Sequence, residues 1–512
     1  MDQGKRLVIN TISNVSALAV NATIGFLIAP YILSHLGKST YGIWALTGSL
    51  LAYSSLLALG LNSAVNRWVP MYLVEQDFDG INRVVNTTLV AYLVGAGVLA
   101  AGVAVLTYGF PIWFHISPEL YTASRLTVAL VGAGFTILIA LNVASAILSS
   151  VQRYDLTAGC DIFTDIARVI AIVIVFQCGF GLVAMATVAA SSIVLRISLK
   201  CMFALRQCPQ LRIDLSLARW QTLREMLAYS INTLMYSCGQ IIQRQAALIL
   251  IGAVLTTAAV TEYAMPLLVI GMAGQIVLSG SAAIKPAATN LDARDRLDQV
   301  QRLYLLGTKY ALLIILPLTA FLLAYGGDTL RIWLKDDYMK SGPALLAILA
   351  AGAAFRLWHM PAFFVVVGLG KHRMFGLMTL LAAAMSVTFG LVLTLGFNLG
   401  VTGVAIGFAA PDLLIAVFLI TPYCCRSVEL TVWNELRSAL VPAMLATAPF
   451  AVLLCVARSY YRPATLSGLL ALVLVSSIPI GLGWWCGGLS AEDKLRFIRM
   501  IPIRALRQRR GI

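Results

Sequence analysis

Charged residues are scarce in this chain. Asp, Glu, Lys and Arg make up 12% of its 512 residues, whereas hydrophobic residues make up 60% and the mean hydropathy is +0.88. Soluble domains carry about 25% charged residues, so this composition excludes a soluble globular protein. Lipid leaves only helices and closed barrels as spanning structures, and barrel strands would alternate polar and apolar residues. The long apolar runs therefore predict an all-α membrane protein.

The sequence also lacks the motifs of metal sites and enzymes. Its nine cysteines are scattered, and only Cys424 and Cys425 are adjacent, so no spacing suggests metal ligands or a disulfide framework. No nucleophile elbow, phosphate loop, paired-histidine motif or dinucleotide fingerprint occurs in a suitable context. We expect no metal, no cofactor and no enzymatic activity.

Acidic residues are outnumbered by basic ones, 22 against 37, which gives a net charge of +15. With the N-terminus placed in the cytoplasm, 27 of the 37 Lys and Arg residues fall on the cytoplasmic side and seven outside, while three lie within apolar runs. Such a bias is an orientation signal of membrane proteins. It predicts that both termini are cytoplasmic, and it accounts for the charge without nucleic-acid binding.

About fourteen apolar runs reach the roughly 20 residues that a helix needs to cross a bilayer. The predicted spans are 10–34, 41–63, 84–108, 126–149, 161–179, 181–204, 227–250, 259–283, 304–326, 343–367, 375–396, 400–422, 439–457 and 465–485. The two longest cytoplasmic connections, 205–226 and 284–303, are rich in Arg and Asp and are predicted to form short surface helices at the lipid headgroups.

An internal repeat is visible in these spans. The segment GFGLVAMATVAA in the first half matches GFNLGVTGVAIGFAA in the second, with Gly181 opposite Gly400 at an offset of 219 residues. A weaker match puts Tyr41 opposite Tyr263 at an offset of 222. Six spans and a loop occupy that length. The sequence therefore predicts two six-helix lobes related by a pseudo-two-fold axis along the membrane normal, plus two extra C-terminal helices.

The repeat also predicts the domain organisation. The expected parts are a first lobe at 1–207, a cytoplasmic linker at 208–226, a second lobe at 227–422, two additional transmembrane helices at 439–485 and a basic cytoplasmic tail at 486–512.

Ionisable residues at membrane depth are costly and indicate function by default. Arg168 lies about 12 Å into its span at 1.5 Å per residue, with Asp165 three residues before it on the same helical face. These two either form a self-neutralising pair or contribute to a site. Arg356 lies near the middle of its span, with His359 about one turn on. No acid follows or precedes Arg356 within a turn, so it needs a partner from another helix, water or an anionic substrate.

Two further positions attract attention. Arg244 is flanked by Gln240, Gln243 and Gln245. Either this span lines a water-filled path, or the Arg244 side chain extends to the outer membrane surface. Asp412 has no obvious base nearby in sequence. It is either an ion-coupling carboxylate or the neutralising partner of an arginine across the lumen.

The charge balance of this layer indicates the substrate class. Arg168, Arg244 and Arg356 are predicted to line a cationic substrate-binding cavity, because guanidinium groups bind phosphate with charge-assisted hydrogen bonds. Asp165, Asp412 and His359 are candidates for ion coupling. The opposing interpretation is that Arg356 pairs with Asp412 for structural reasons alone.

Two segments resemble a known family. The run YILSHLGKSTYGIWALTGSLLAYSSLLALGLNSAVNRWV (31–69) resembles the opening of the polysaccharide transporter, or O-antigen-type oligosaccharide flippase, family. The segment AIKPAATNLDARDRLDQVQRL (283–303) is similar to the loop that follows the eighth helix of that family. The family belongs to the multidrug/oligosaccharide-lipid/polysaccharide exporter superfamily, and the resemblance covers essentially the whole chain.

The resemblance implies two lobes that form a V around a central cavity. It implies a bacterial inner-membrane flippase that moves a polyprenyl-diphosphate-linked oligosaccharide by alternating access, for surface or exopolysaccharide synthesis. The implied partners are this lipid-linked substrate, membrane lipids and polysaccharide polymerase or export components. The family carries no strict substrate-binding motif. The alternative functions are a multidrug or small-molecule cation exporter of the same superfamily, and a membrane scaffold without transport.

Overall fold

A computed structural model describes residues 3–281, 283–335, 341–371 and 373–485. Within these ranges the chain is almost entirely helical and contains no β-strand. Eleven helical runs in the described part of the chain are long and apolar enough to cross a membrane. The predicted all-α membrane class is therefore confirmed, while the count of fourteen spans is approximate. The basic tail at 486–512 lies outside the described residues.

Nineteen α-helices lie in the described ranges. The first nine are α1 (Gln3–Ala52), α2 (Ser55–Val74), α3 (Phe78–Trp113), α4 (Tyr121–Ala140), α5 (Val143–Ser150), α6 (Tyr154–Gln177), α7 (Leu182–Gln207), α8 (Trp220–Val254) and α9 (Thr257–Ser281). The others are α10 (Ile284–Asp292), α11 (Leu297–Leu334), α12 (Gly342–Trp358), α13 (Met360–Gly368), α14 (Arg373–Leu391), α15 (Gly400–Ile415), α16 (Thr421–Ser427), α17 (Val432–Glu435), α18 (Val441–Tyr460) and α19 (Leu466–Gly483). Single π-helical turns at Val392–Gly396, Ala416–Ile420 and Leu436–Leu440 extend α14, α15 and α17.

Each predicted span coincides with one helix or with two helices in succession. The first predicted span and the start of the second both lie in α1. This helix has a kink at Gly37, whose φ of 76° and ψ of 169° are not helical. Residues with a Cβ rarely adopt this conformation, so a glycine is needed at this break. Leu36 and Gly37, within the run 31–69 that resembles the family, therefore mark a change of direction in the backbone.

The connection between α7 and α8 differs from its prediction. Instead of a surface helix it is a largely extended strap over residues 208–219, with one 3₁₀ turn at Leu215–Leu217. Two buried asparagines of α3 hold its backbone. Asn82 accepts from the Arg212 N–H at 2.8 Å, and Asn86 donates to the Arg212 carbonyl at 2.7 Å. These amides supply hydrogen bonds that a helix would make internally, which is why an extended strap is stable here. The other predicted surface helix is present as α10.

Four helix ends show the internal repeat in the backbone. Left-handed residues end helices at Gln76, His115, Gln152 and Gly179 in the first half, and at Asp295, Lys335, Gly370 and Asn398 in the second. The offsets are 219, 220, 218 and 219 residues. Such a residue just past a helix is typical of a Schellman turn, in which the next N–H reaches back five residues. That bond joins Asp77 to Tyr72 at 2.9 Å and, at the equivalent position, Arg296 to Leu291 at 3.1 Å.

Two cations at equivalent turns make equivalent contacts. Arg153, just after the turn at Gln152, donates to the side chain of Gln207 at the end of α7, at 2.7 Å. Lys371, just after the turn at Gly370, donates to the carbonyl of Ser427 at the end of α16, at 3.0 Å. In each half, therefore, a cation donates a hydrogen bond that connects the turn before the fifth helical span to the end of the sixth span. These contacts and the matching turns support the predicted duplication.

The described residues group into two compact units. The described residues within Met1–Met272 and Arg373–Pro411 form unit one, and those within Ala273–His372 and Asp412–Ile512 form unit two. The core of unit one includes a cluster in which Leu148, Val65 and Ala64 are fully buried among α2, α3 and α5. In unit two, Leu312 and Leu313 of α11 pack with Trp358 of α12 and the small residues of α18.

Candidate functional site

Five ionisable side chains form a cluster on two adjacent helices of unit one. Asp161, Asp165 and Arg168 lie on α6, and Arg196 and Lys200 lie on α7. Arg196 donates a hydrogen bond to Asp165, and Arg168 contacts the same carboxylate at 3.2 Å. Lys200 contacts Asp161 at 2.8 Å. The predicted Asp165–Arg168 pair is therefore present as part of a larger cluster, which we call the α6–α7 cluster.

The members of the α6–α7 cluster lie at matched depths. Asp165 is eleven residues from the start of α6, and Arg196 is eleven residues from the end of α7, so each lies about 16 Å from its helix end at 1.5 Å per residue. Asp161 and Lys200 are each seven residues, or about 10 Å, from the same ends. Opposite charges therefore face each other in two successive layers between the helices.

The α6–α7 cluster carries an excess positive charge, because three cations share two carboxylates. The Asp165 side chain is only 3% exposed, whereas the Arg168 side chain keeps 32% of its surface exposed. Asn21 of α1 also donates to Asp165 at 3.1 Å, so α1 is joined to this cluster. Asp165 is held by these donors, and Arg168 is the cation at the accessible edge.

Unit two contains a second pair at membrane depth. The Nη1 atom of Arg356 in α12 donates to the Asp412 carboxylate of α15 at 2.7 Å. The Asp412 side chain is 8% exposed and that of Arg356 is 29% exposed. The arrangement agrees with the structural alternative, in which Asp412 neutralises Arg356. A role for either residue in substrate binding or ion coupling stays a prediction.

His359 is buried one residue past the end of α12. Its Nδ1 atom lies 2.9 Å from the Phe355 carbonyl, so Nδ1 must carry a proton, and Nε2 lies 2.7 Å from the Thr421 hydroxyl. That hydroxyl is also 2.9 Å from the Ala416 carbonyl. A hydroxyl has only one proton to donate. When the imidazole of His359 is neutral, the Thr421 hydroxyl can donate to Nε2. When the imidazole is protonated, the hydroxyl accepts from Nε2 and donates to the Ala416 carbonyl. Titration of His359 would thus move one hydrogen bond in the π turn before α16, and its role in ion coupling stays a prediction.

A buried carboxylate near these residues was not foreseen from the sequence. Glu435 of α17 is fully buried and accepts hydrogen bonds from Tyr304 at 2.6 Å, Trp358 at 3.0 Å and Cys425 at 3.0 Å. It thereby joins α11, α12, α16 and α17. Arg356, Trp358 and His359 all lie near the junction of α12 and α13. Their polar contacts connect this junction to several other helices.

Arg244 lies in α8 of unit one with an exposed side chain. Its neighbour Gln243 is buried and accepts from Ser386 of α14 at 3.3 Å. The glutamine therefore connects two helices, and the predicted wet path along this span stays a prediction. Arg168 and Arg244 belong to unit one and Arg356 to unit two. That the three guanidinium groups line one cavity stays a prediction.

Three members of the α6–α7 cluster were missed by sequence reasoning. Arg196 and Lys200 are among the 27 cations that the sequence places on the cytoplasmic side, and the sequence gives Asp161 no role. A signal was nevertheless present: Asp161 and Asp165 are four residues apart on one apolar helix, and Arg196 and Lys200 are four apart on the next. Residues at this spacing share a helical face, so two such pairs of opposite sign on consecutive helices predict an interhelical contact.

Residues 36–343, more than half of the chain, match the family described as polysaccharide biosynthesis protein. The chain belongs to this family. The predicted resemblance to the polysaccharide transporters is thereby confirmed.

Individual relatives agree with this family. The chain is 21% identical over 422 residues to the uncharacterized membrane protein EpsK of Bacillus subtilis (strain 168), covering 81% of this chain and 82% of EpsK. Its fold is similar to the lipid II flippase MurJ in an inward closed conformation, with a TM-score of 0.70 and 11% identity, over 93% of this chain and 98% of that one. An inward-facing multidrug resistance transporter of the MATE family in the MOP superfamily also gives 0.70, at 15% identity, over 82% and 98%. The chain therefore has the two-lobe fold of these transporters.

Proposed function

We propose that this member of the polysaccharide biosynthesis family moves a polyprenyl-diphosphate-linked oligosaccharide across the bacterial inner membrane by alternating access, for surface or exopolysaccharide synthesis. The observation that carries the proposal is the α6–α7 cluster, in which three cations share two carboxylates at membrane depth. Its accessible cation, Arg168, would contact the diphosphate of the substrate.

The chemistry of a diphosphate suits this cluster. A guanidinium group offers several N–H donors in a plane and binds phosphate oxygens with charge-assisted hydrogen bonds. Asp165 is already held by Arg196 and Asn21, so Arg168 can exchange its contact at 3.2 Å for a phosphate without leaving that carboxylate unpartnered. The polyprenyl tail would stay in the bilayer during the passage of the headgroup.

The alternative is a multidrug or small-molecule cation exporter. The fold does not discriminate, because the flippase and the multidrug transporter give the same TM-score of 0.70. The match to a polysaccharide family and the sign of the charge both favour the flippase, since a site for cations would need an excess of carboxylates. We also propose that both termini are cytoplasmic and that the protein works with polysaccharide polymerase or export components.

The three arginines have different proposed roles in substrate binding. Arg356 already donates to Asp412, so a substrate would have to compete with that carboxylate. Arg244 and Arg356 would add positive potential to the cavity, whereas Arg168 would make the first contact with phosphate. Asp165, Asp412 and His359 stay candidates for ion coupling.

Replacement of Arg168 tests the proposal in a host that lacks its own copy of this protein and therefore its surface polysaccharide. We expect Arg168→Gln to be folded in normal amounts and to lower export about tenfold or more, because a hydrogen bond to a charged group contributes roughly 1.5–3 kcal/mol. Arg168→Lys keeps the charge and should lower export less. The control is Arg224→Gln, which removes an exposed arginine near the start of α8.

Two results would overturn the proposal. One is full polysaccharide export by a variant with glutamine at Arg168, Arg244 and Arg356 together. The other is drug efflux conferred by the protein with no effect of its deletion on surface polysaccharide.

A further inference from the structure

A second site is visible in unit one, on helices other than α6 and α7. A cavity of about 450 Å³ lies where the end of α2, the start of α3 and the start of α8 meet. It is lined by Trp68 and Tyr72 of α2, Arg83 of α3, and Arg219, Trp220 and Glu225 at the start of α8, among others. Neither the proposed transport function nor the family assigns a role to it.

The strap at residues 208–219 reaches this cavity with its last residue, Arg219. Its course is fixed by the two buried asparagines of α3, and its last residue, Arg219, donates its backbone N–H to the Thr87 hydroxyl of α3 at 3.1 Å. The helix α8 begins at the next residue, Trp220. Arg83 and Arg219 therefore line one cavity, and contacts with buried side chains of α3 fix the position of Arg219.

The lining is cationic and aromatic. Arg83 and Arg219 face one acid, Glu225, so the lining has an excess positive charge. The first N–H groups of α8 have no partner within their helix and add to this potential. Trp68, Tyr72 and Trp220 supply amphipathic rings, and Trp220 is 74% exposed. Anions with a phosphate group suit such a lining.

The start of the apolar runs in α3 and α8 predicts that the cavity lies at the depth of lipid headgroups. Arg83 is five residues, or about 7.5 Å, from the start of α3, just before the apolar part of that helix. Arg219 directly precedes α8, which continues into an apolar run. Tryptophan, tyrosine and arginine are the residues that concentrate where membrane helices meet the headgroup layer. A ligand in this cavity would therefore be in contact with the bilayer surface.

We propose that this cavity binds the phosphate of an anionic membrane phospholipid. The two arginines hold the phosphate, the aromatic rings pack against the glycerol and the first carbons of the acyl chains, and the lipid joins α2, α3 and α8. The volume is in the range of small-molecule sites, about 300–1,000 Å³, and is sufficient for a headgroup. This site is separate from the α6–α7 cluster and does not depend on which substrate is transported.

The test uses the purified full chain in detergent micelles. The thermal unfolding midpoint is measured against increasing phosphatidylglycerol, phosphatidylcholine or inorganic phosphate, since a ligand that binds the folded state raises this midpoint. We compare the wild type with Arg83→Gln/Arg219→Gln, which keeps the Arg219 backbone N–H. The matched control is Arg224→Gln, an exposed arginine of α8 that does not line the cavity.

Phosphatidylglycerol should raise the midpoint of the wild type and of Arg224→Gln at the same half-saturating concentration. The double glutamine variant should need at least about tenfold more lipid, because two charge-assisted hydrogen bonds are lost. An equal response of the double variant would overturn the proposal, as would an equal response of the wild type to phosphatidylcholine. If inorganic phosphate alone raised the midpoint over the same concentration range, the cavity would be a site for a soluble anion, and the proposal of a lipid site would be overturned. If the glutamine variant does not fold, Arg83→Lys/Arg219→Lys must retain the preference for phosphatidylglycerol.

Discussion

Arg356 and Asp412 are 56 positions apart in the chain, and their side chains meet at 2.7 Å within unit two. The pair connects α12, just before its junction with α13, to α15, just after Pro411. The two charges compensate each other in a region that the sequence predicts to lie within the bilayer, where an uncompensated charge is costly.

The first prediction follows from this pair. Arg356→Ala should lower the free energy of unfolding by roughly 3 kcal/mol, at the lower end of the cost of breaking a buried ion pair, because Arg356 is 29% exposed. The double variant Arg356→Ala/Asp412→Ala should recover much of the loss, since it leaves no buried carboxylate without a partner. The amount of folded protein and its unfolding midpoint measure both effects.

A substrate role for Arg356 predicts a different pattern. Arg356→Ala would then be folded in normal amounts but inactive in polysaccharide export, and Arg356→Glu would be the most impaired variant. The double variant would not regain activity. Measuring protein amount and export together separates the two interpretations.

The second prediction concerns the buried Glu435. Glu435→Ala leaves the donors of Tyr304, Trp358 and Cys425 without this acceptor, and each unsatisfied buried group costs about 1–3 kcal/mol. We expect a larger loss of stability than for Tyr304→Phe, which removes one donor. The double variant Tyr304→Phe/Glu435→Ala should be less destabilised than the sum of the two single variants. Additive losses would contradict the network.

The third prediction concerns the strap at residues 208–219. Asn86→Ala removes its donor to the Arg212 carbonyl and its acceptor for the Asp214 N–H at 2.9 Å. We expect a loss of about 1–3 kcal/mol and faster tryptic cleavage after Arg212 and Arg219, because the strap is no longer held on α3. Ser216→Ala in the exposed part of the strap is the control and should be cleaved like the wild type.

The fourth prediction concerns the threading of the chain. Both termini and the turns at Gln152 and Gly370 should be cytoplasmic, and the segments 35–40 and 327–342 should be outside. In a background depleted of native cysteines, His115→Cys and Lys335→Cys should react with an impermeant thiol reagent from the periplasm, whereas Gln152→Cys and Lys371→Cys should not. Labelling of Lys371→Cys from outside would refute this topology.

The membrane-spanning helices could be predicted because a helix that crosses a bilayer needs a run of about 20 mostly apolar residues. Apolar runs located all the long helices, whereas the short helix α17 lies outside every predicted span, and the break near Gly37 separates two of the predicted spans. The sequence predicts a helix at the strap because this connection is rich in Arg and Asp, like a surface helix, although Ile213 and Leu215 are also exposed. The residues that decide its conformation, Asn82 and Asn86, lie more than 120 positions away in α3.

The charged sites were foreseen in part. Asp165 and Arg168 are three residues apart, and helical geometry alone brings them together. Arg196 lies near several other cations toward the end of α7, so its sequence context was that of an orientation charge, and only the packing of α7 on α6 reveals its partner. Glu435 follows a short loop where an exposed acid is usual. Its burial results from four helices that meet, which no local pattern records.

The left-handed turns have a consequence for the comparison of distant relatives. At 11–21% identity, side chains give few fixed points for matching two sequences. The turn positions in this chain are occupied by residues as different as Gln76, His115, Lys335 and Asn398, and yet they recur at nearly constant spacing. Backbone handedness at helix ends therefore aligns the two halves of this chain with each other where residue identity does not, and we expect the same turns to serve as landmarks for aligning distant relatives.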